Sequence, residues 1–359
     1  MSRLTSLGRD YTVFELGDVA LDSGATLRKA RLAYQTYGRL NAARDNCVVF
    51  PTYYSGTHRS NARMIGEGRA LDPAHWFIVV PNLFGNGLSS SPQLVDAPAH
   101  GLPEGTQCGA DFPVCSIADN VRCQHRLVFE HLGVRKVALV TGWSMGAVQA
   151  YQWAVSYPDV VSALLPFCGA ARCSPHNAVF IEGVLAALRA DPVYAGGHYT
   201  QPPVEGLKAF GRVYAGWAYS QGFFREHRYR ELGYATIEDF LIAWEDEHLA
   251  WDANNLVTKL ATWKSADCSA GERFNGDLAR ALGSIRARTI VMPCDRDLYF
   301  TLEDNALEAG MIPGAELRPL TSVYGHCAGA PGRFADEMAF VDHALRELLA
   351  SVREVSIPR

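Results

Sequence analysis

No stretch of this chain approaches the ~18 consecutive apolar residues that a membrane-crossing helix needs, and none is rich in lysine or arginine. The first absence excludes a spanning helix. The second, with a net charge of -5, leaves no general field for nucleic acid or an anionic membrane, so the expected partner is a small molecule. The 9 cysteines are odd in number and scattered, with no C-x-x-C pair, which fits thiols of a reducing compartment better than a disulfide framework or zinc site. Among the 11 histidines no H-E-x-x-H spacing suggests a metal. The opening "MSRLTSLGRDYTVFELGDVALDSG" holds charges early and no continuous apolar segment. Neither a secretory signal nor an anchor is expected there, and a cytoplasmic location is.

What is present is a chain of 359 residues, long enough for a large core. Apolar runs recur, each followed by a glycine-containing loop and often by a helical pattern: "CVVFPTYYSG", "WFIVVPNLFGNG", "KVALVTGWSMG", "VSALLPFCGA" and "RTIVMPCDRD". That alternation predicts an α/β fold, a mostly parallel central sheet covered by helices on both faces. The early "YTVFELGDVALDSG" and "ATLRKARLAYQTYG" alternate instead, as antiparallel strands at one sheet edge would. Ser116 and Asp119 form a capping box for a helix that Gly133 ends. Between residues 171 and 280 the texture is helical throughout, so this stretch is expected to be a lid inserted into a core made of 1–170 and 281–359. "FADEMAFVDHALRELLASV" reads as an amphipathic closing helix.

The chemistry gathers around Gly142-Trp143-Ser144-Met145-Gly146, a G-x-S-x-G between a strand and a helix. The bare pattern also arises as an ordinary turn, but this context matches the nucleophile elbow of α/β-hydrolases, where flanking glycines make room for a strained serine. A serine hydroxyl needs a base, and the base an orienting carboxylate, in the chain order Ser, acid, His. "VMPCDRDLYF" offers Asp295 and Asp297 past a late strand, and "SVYGHCAGAPG" places His326 before the last helix. Asp297 is favoured because it follows the turn that returns the chain over the sheet edge. The N–H groups of Met145 and of Tyr54, in "PTYYSGTH", are the expected oxyanion donors. Trp143, Tyr53 and His58 are candidates to line the site; a structural loop role fits His58 equally, and the alternative for the side chains of Tyr53 and Tyr54 is that of core or lid aromatics. "NLFGNGLSSSP" lacks the third glycine of a dinucleotide loop.

Taken together, "LAYQTYGRLNAARDN", "SGTH", "NLFGNGLSSSP", "GWSMGAVQAYQWAVSYPD", "ALRADPVYAGGHY", "GLKAFGRVYAGWAYS" and the late "DLYF" and "GH" segments resemble the homoserine O-acetyltransferase family of the α/β-hydrolase superfamily. The resemblance implies Ser144, Asp297 and His326 as nucleophile, acid and base, and a helical lid that forms a homodimer. It also implies acetyl-CoA as co-substrate if acyl transfer is retained; no other cofactor is expected. Three departures stand out. Gly146 is followed by Ala147 where the family has a second glycine, Cys327 follows His326 where the family has aspartate, and Arg212 in "GLKAFGR" lies one residue beyond the lid arginine that meets the substrate carboxylate. Arg212 is therefore either a substrate-binding residue or an ordinary ion-pair partner. The departures point away from homoserine toward hydrolysis of a small ester or related acyl compound, the alternatives being acetyl transfer to another alcohol or a non-catalytic ligand-binding protein.

Overall fold

A computed structural model describes residues 10–93 and 109–355. An 8-stranded sheet runs through it in the order β1-β2-β4-β3-β5-β6-β7-β8, where β1 is Thr12–Ala20, β2 Thr26–Tyr37, β3 Cys47–Val49, β4 Phe77–Pro81, β5 Val137–Trp143, β6 Val161–Phe167, β7 Arg288–Val291 and β8 Glu316–Leu317. β1 pairs antiparallel with β2 and β2 with β4; the remaining pairs are parallel. The alternating early segments thus form the antiparallel edge, their exposed residues interleaved with buried ones.

Every residue of β5 is buried, as a central strand covered on both faces requires. Side chains alternate between two cores: Val49 and Val79 belong to one, Val48, Ile78 and Val80 to the other. Helix Met145–Ser156 fills the first through Val148, Tyr151 and Trp153, and the closing helix Ala335–Val355 fills the second through Val341, Leu345 and Leu348. Helix Ile117–His125 starts at the expected box, with Ser116 Oγ accepting from Asp119 N at 2.9 Å and Asp119 Oδ2 accepting from Ser116 N at 2.9 Å.

β3 has β4 on one side and β5 on the other, so the strand order reverses there. A crevice outside the carboxyl ends of strands at such a reversal is where sheets of this kind bind ligands. Tyr53 and Tyr54 follow β3, Ser144 follows β5, Asp297 lies beyond β7 and His326 beyond β8. Between β6 and β7 the chain forms helices that include Pro175–Arg189, Val204–Ala218, Ile237–Leu249 and Ala253–Lys264 and adds no strand to the sheet. Among the described residues no helix is long and apolar enough to cross a membrane, and no group of three metal-ligating side chains is arranged to hold an ion.

Candidate active site

Ser144 joins β5 to helix Met145–Ser156 with φ 57° and ψ -125°, a conformation that L residues rarely hold. Such strain costs on the order of 1–3 kcal/mol and persists only where the surroundings over-determine it. Here Ser144 N donates to Phe167 O at 3.2 Å, and Ser144 O accepts from Ala147 N at 2.8 Å and Val148 N at 3.1 Å. The flanking glycines are steric necessities. A Cβ at Gly142 would stand 2.4 Å from the Gly146 carbonyl carbon, and one at Gly146 would stand 2.7 Å from Pro51 O. The corner lifts the hydroxyl clear of the sheet, at the amino end of a helix whose partial positive charge favours a developing anion.

The hydroxyl meets a base. His326 Nε2 lies 2.9 Å from Ser144 Oγ, and His326 Nδ1 lies 2.7 Å from Asp297 Oδ2. A carboxylate can only accept, so Nδ1 carries the hydrogen and Nε2 is left with a lone pair facing the serine. Asp297 is fixed in turn, its Oδ1 accepting from Tyr299 N at 2.8 Å and Phe300 N at 3.1 Å. The imidazole is walled in by Trp143, stacked at 4.9 Å, and by Tyr299, edge-on at 4.8 Å. Trp143 Nε1 also donates to His326 O at 3.1 Å, tying the late loop to β5. Asp295 takes no part in this chain of bonds. Its Oδ1 accepts from Ser322 N at 3.1 Å and so braces the loop that leads to His326.

On the opposite side, the loop after β3 is pinned from several directions. Gln149 Nε2 donates to Thr52 O at 2.8 Å, and Asn61 Nδ2 donates to Phe50 O at 3.0 Å. Gly56 lets the loop fold tightly, since a Cβ there would stand 2.7 Å from the Tyr53 ring. That ring packs edge-on against Trp143 at 4.5 Å. Among the described residues the N–H groups of Tyr54 and Met145 have no protein acceptor, leaving both able to bind an oxyanion.

Two expected site residues lie apart from this cluster. The Arg212 guanidinium is held by Glu238 and Glu245 on a partly exposed face of the helical region. His58 is buried, with its backbone N–H donating to Asn82 Oδ1 at 3.0 Å, its ring Nδ1 3.2 Å from Asn82 Nδ2 and its Nε2 3.4 Å from Asp10; these bonds anchor the loop after β3 and none of them reaches Ser144 or His326. The sequence pattern does not single out the backbone donors of Tyr299 and Phe300, which hold Asp297, although both belong to the "DLYF" segment that carries the acid. Burial pushes the Cys327 thiol up to about 12, so the position beside His326 carries no charge at neutral pH.

A family model for the alpha/beta hydrolase fold matches residues 53–198. Over 345 residues, 95% of this chain and 96% of the relative, the sequence is 38% identical to an ethyl acetate hydrolase of Pseudomonas veronii. The chain belongs to the alpha/beta hydrolase family. Relatives within this family also include a homoserine O-acetyltransferase of Trichormus variabilis, 32% identical over 319 residues and 86% of each chain. The solved structure of the acetyl esterase MekB superimposes with a TM-score of 0.89 at 37% identity, covering 95% of this chain and 96% of that one. The resemblance to the acetyltransferases therefore holds, with esterases beside them, and this alpha/beta hydrolase belongs among enzymes.

Proposed function

We propose that the protein hydrolyses a small ester, most simply the acetate of a short alcohol, through an acyl-serine formed at Ser144. The observation that carries the proposal is the unbroken hydrogen-bonded chain from Ser144 through His326 to Asp297. In the first half-reaction Ser144 Oγ attacks the ester carbonyl carbon as His326 Nε2 takes its proton, and the N–H groups of Met145 and Tyr54 bind the oxyanion. As the intermediate collapses, His326 returns that proton to the departing alkoxide, leaving the alcohol and an acyl-serine. Water then gives a proton to His326 as it attacks the acyl carbon, and when the intermediate collapses His326 returns that proton to Ser144 Oγ, releasing the acid and regenerating the serine.

Two features support water over homoserine as the acceptor. The uncharged Cys327 offers nothing to hold a substrate amine, and Arg212 is engaged by Glu238 and Glu245. Names of relatives agree with an ester substrate: ethyl acetate hydrolase and acetyl esterase. The same reading makes residues 171–280 a lid. Val179, Val213 and Ile242, exposed on three of its helices, support a homodimer formed through it. The free cysteines among the described residues support a reducing, cytoplasmic setting.

The test incubates purified protein with ethyl acetate or p-nitrophenyl acetate, and separately with acetyl-CoA, each with and without alcohols. Release of acetate from the esters, with acetyl-CoA untouched, is the expected outcome. Consumption of acetyl-CoA only when an alcohol is present would reassign the protein to O-acyl transfer on a non-homoserine alcohol.

A further inference from the structure

Beneath the loop that carries Tyr54 lies a buried lysine amine that the proposed reaction does not use. Lys259, on helix Ala253–Lys264, is 0% exposed, and its Nζ has no hydrogen-bond partner among the described residues. Its surroundings are ring faces: Nζ lies 3.7 Å from the ring centroid of Trp251 and 4.9 Å from that of Tyr54. The room for its stem comes from Gly85, where a Cβ would stand 3.2 Å from Lys259 Cγ. Burial without a counter-ion holds the amine well below the ordinary lysine range. The titratable groups facing it are Tyr54 and His248, and His248 is itself lowered to about 4, chiefly by burial.

Tyr54 is gripped from three sides. Its O–H donates to Leu256 O at 3.3 Å, one turn before Lys259 on the same helix. Its ring stacks on Tyr214 with centroids 5.5 Å apart and planes inclined by 13°. The Lys259 amine supplies the third hold, since an N–H or ammonium edge is attracted to the negative face of an aromatic ring. A methionine would fill the same volume without the cost of desolvating a nitrogen. The nitrogen therefore adds something other than packing.

We propose that Lys259 is a positioning residue for the acyl-transfer step, its amine holding the Tyr54 ring so that the Tyr54 N–H stays aimed at the oxyanion. The proposal rests on the acyl-serine reading and specifies how one of its donors is kept in place.

Lys259→Met in the full chain, assayed with p-nitrophenyl acetate, is expected to lower kcat roughly ten-fold, part of the loss that follows removal of a whole oxyanion donor, with KM changed less than about two-fold. The same variant is expected to melt higher than wild type at pH 7 and to lose that advantage near pH 10. Below the ordinary lysine value of 10.5 the unfolded chain takes up a proton that the buried amine does not, so wild type is penalised most at low pH. An unchanged kcat overturns the proposal. Should the methionine variant fail to fold, Trp251→Leu removes one supporting ring face and leaves the amine; kcat is expected to fall several-fold at constant KM, and an unchanged kcat again refutes the positioning role. A fluorophosphonate probe separates the two levels. Failure to label Ser144 in wild type sinks the acyl-serine reading, whereas normal labelling with full kcat in Lys259→Met sinks only the role of Lys259.

Discussion

Asp297→Asn replaces a carboxylate oxygen by an amide nitrogen at a place where the structure dictates which way the amide turns. Oδ1 of Asp297 faces the N–H groups of Tyr299 and Phe300 at 2.8 and 3.1 Å, so the amide oxygen must stay there to accept them. Its NH2 is then directed at His326 Nδ1, 2.7 Å from the position it takes over, and must donate to it. The imidazole is forced into the tautomer with hydrogen on Nε2, which donates to Ser144 and cannot take its proton. Trapping a triad histidine in that tautomer costs about 10⁴-fold in kcat, about 5.5 kcal/mol of barrier. Substrate binding is not involved, so KM is expected to change little. Asp295→Asn is the internal control: its oxygen can still accept from Ser322 N, and kcat is expected to stay within about three-fold of wild type. Both variants would be assayed with p-nitrophenyl acetate, with circular dichroism to check folding. A folded Asp297→Asn enzyme within ten-fold of wild type, or an Asp295→Asn enzyme as impaired as Asp297→Asn, would refute the assignment of the acid.

Other outcomes follow from the packing and the buried charges. A Cβ at Gly169 would meet Ala147 Cβ at 2.3 Å and Ser144 O at 2.9 Å, so Gly169→Ala is expected to destabilise the fold by about 1–3 kcal/mol, and adding Ala147→Gly to restore much of it; equal melting of all three proteins would show the corner to be looser than this. Burial raises the Glu308 carboxyl to about 8, although it accepts from Ala171 N at 3.0 Å. The folded state therefore binds a proton that the unfolded chain releases near pH 4.5, and stability falls as pH rises toward 8. Glu308→Gln is expected to be more stable than wild type at pH 7 by on the order of 3 kcal/mol, and so to melt higher, and to lose the advantage near pH 4.5; melting curves across that range that run parallel would contradict it. Arg212→Met should leave kcat and KM for a small ester within about two-fold, because the ion pairs it removes are partly solvent-exposed. A large rise in KM would return Arg212 to the substrate.

Much of this site is legible in the chain because its parts are local. The elbow needs only an apolar strand, two glycines and a helix, all within Val137–Ser156, and the order of Ser144, Asp297 and His326 follows from how the sheet is threaded. The choice between Asp295 and Asp297 also had a local basis, the turn between them, yet the distances to His326 and Ser322 carry the distinction. What sequence pattern could not carry is the direction in which a long side chain points. Arg212 sits in a helix that resembles a substrate-binding one, but Glu238 and Glu245 come from helix Ile237–Leu249, 26 and 33 residues further along the chain. Lys259 in "ANNLVTKLATWK" reads like any solvated helical lysine; its burial depends on Trp251 and Tyr54, the latter brought in from the loop after β3, about two hundred residues earlier in the chain. Glu308 is hidden for the same reason, its partner Ala171 lying 137 residues earlier.

The central claim is a covalent acyl group on Ser144, and rapid acid quenching during turnover of an acetate ester, followed by peptide mass spectrometry, tests it most directly. The account predicts one acetyl group on the peptide containing Ser144, accumulating when hydrolysis of the intermediate is slow and absent in Ser144→Ala, which should lose at least about 10⁴-fold in kcat. Ester turnover with Ser144 unmodified throughout, and a Ser144→Ala variant that retains wild-type kcat, would contradict it.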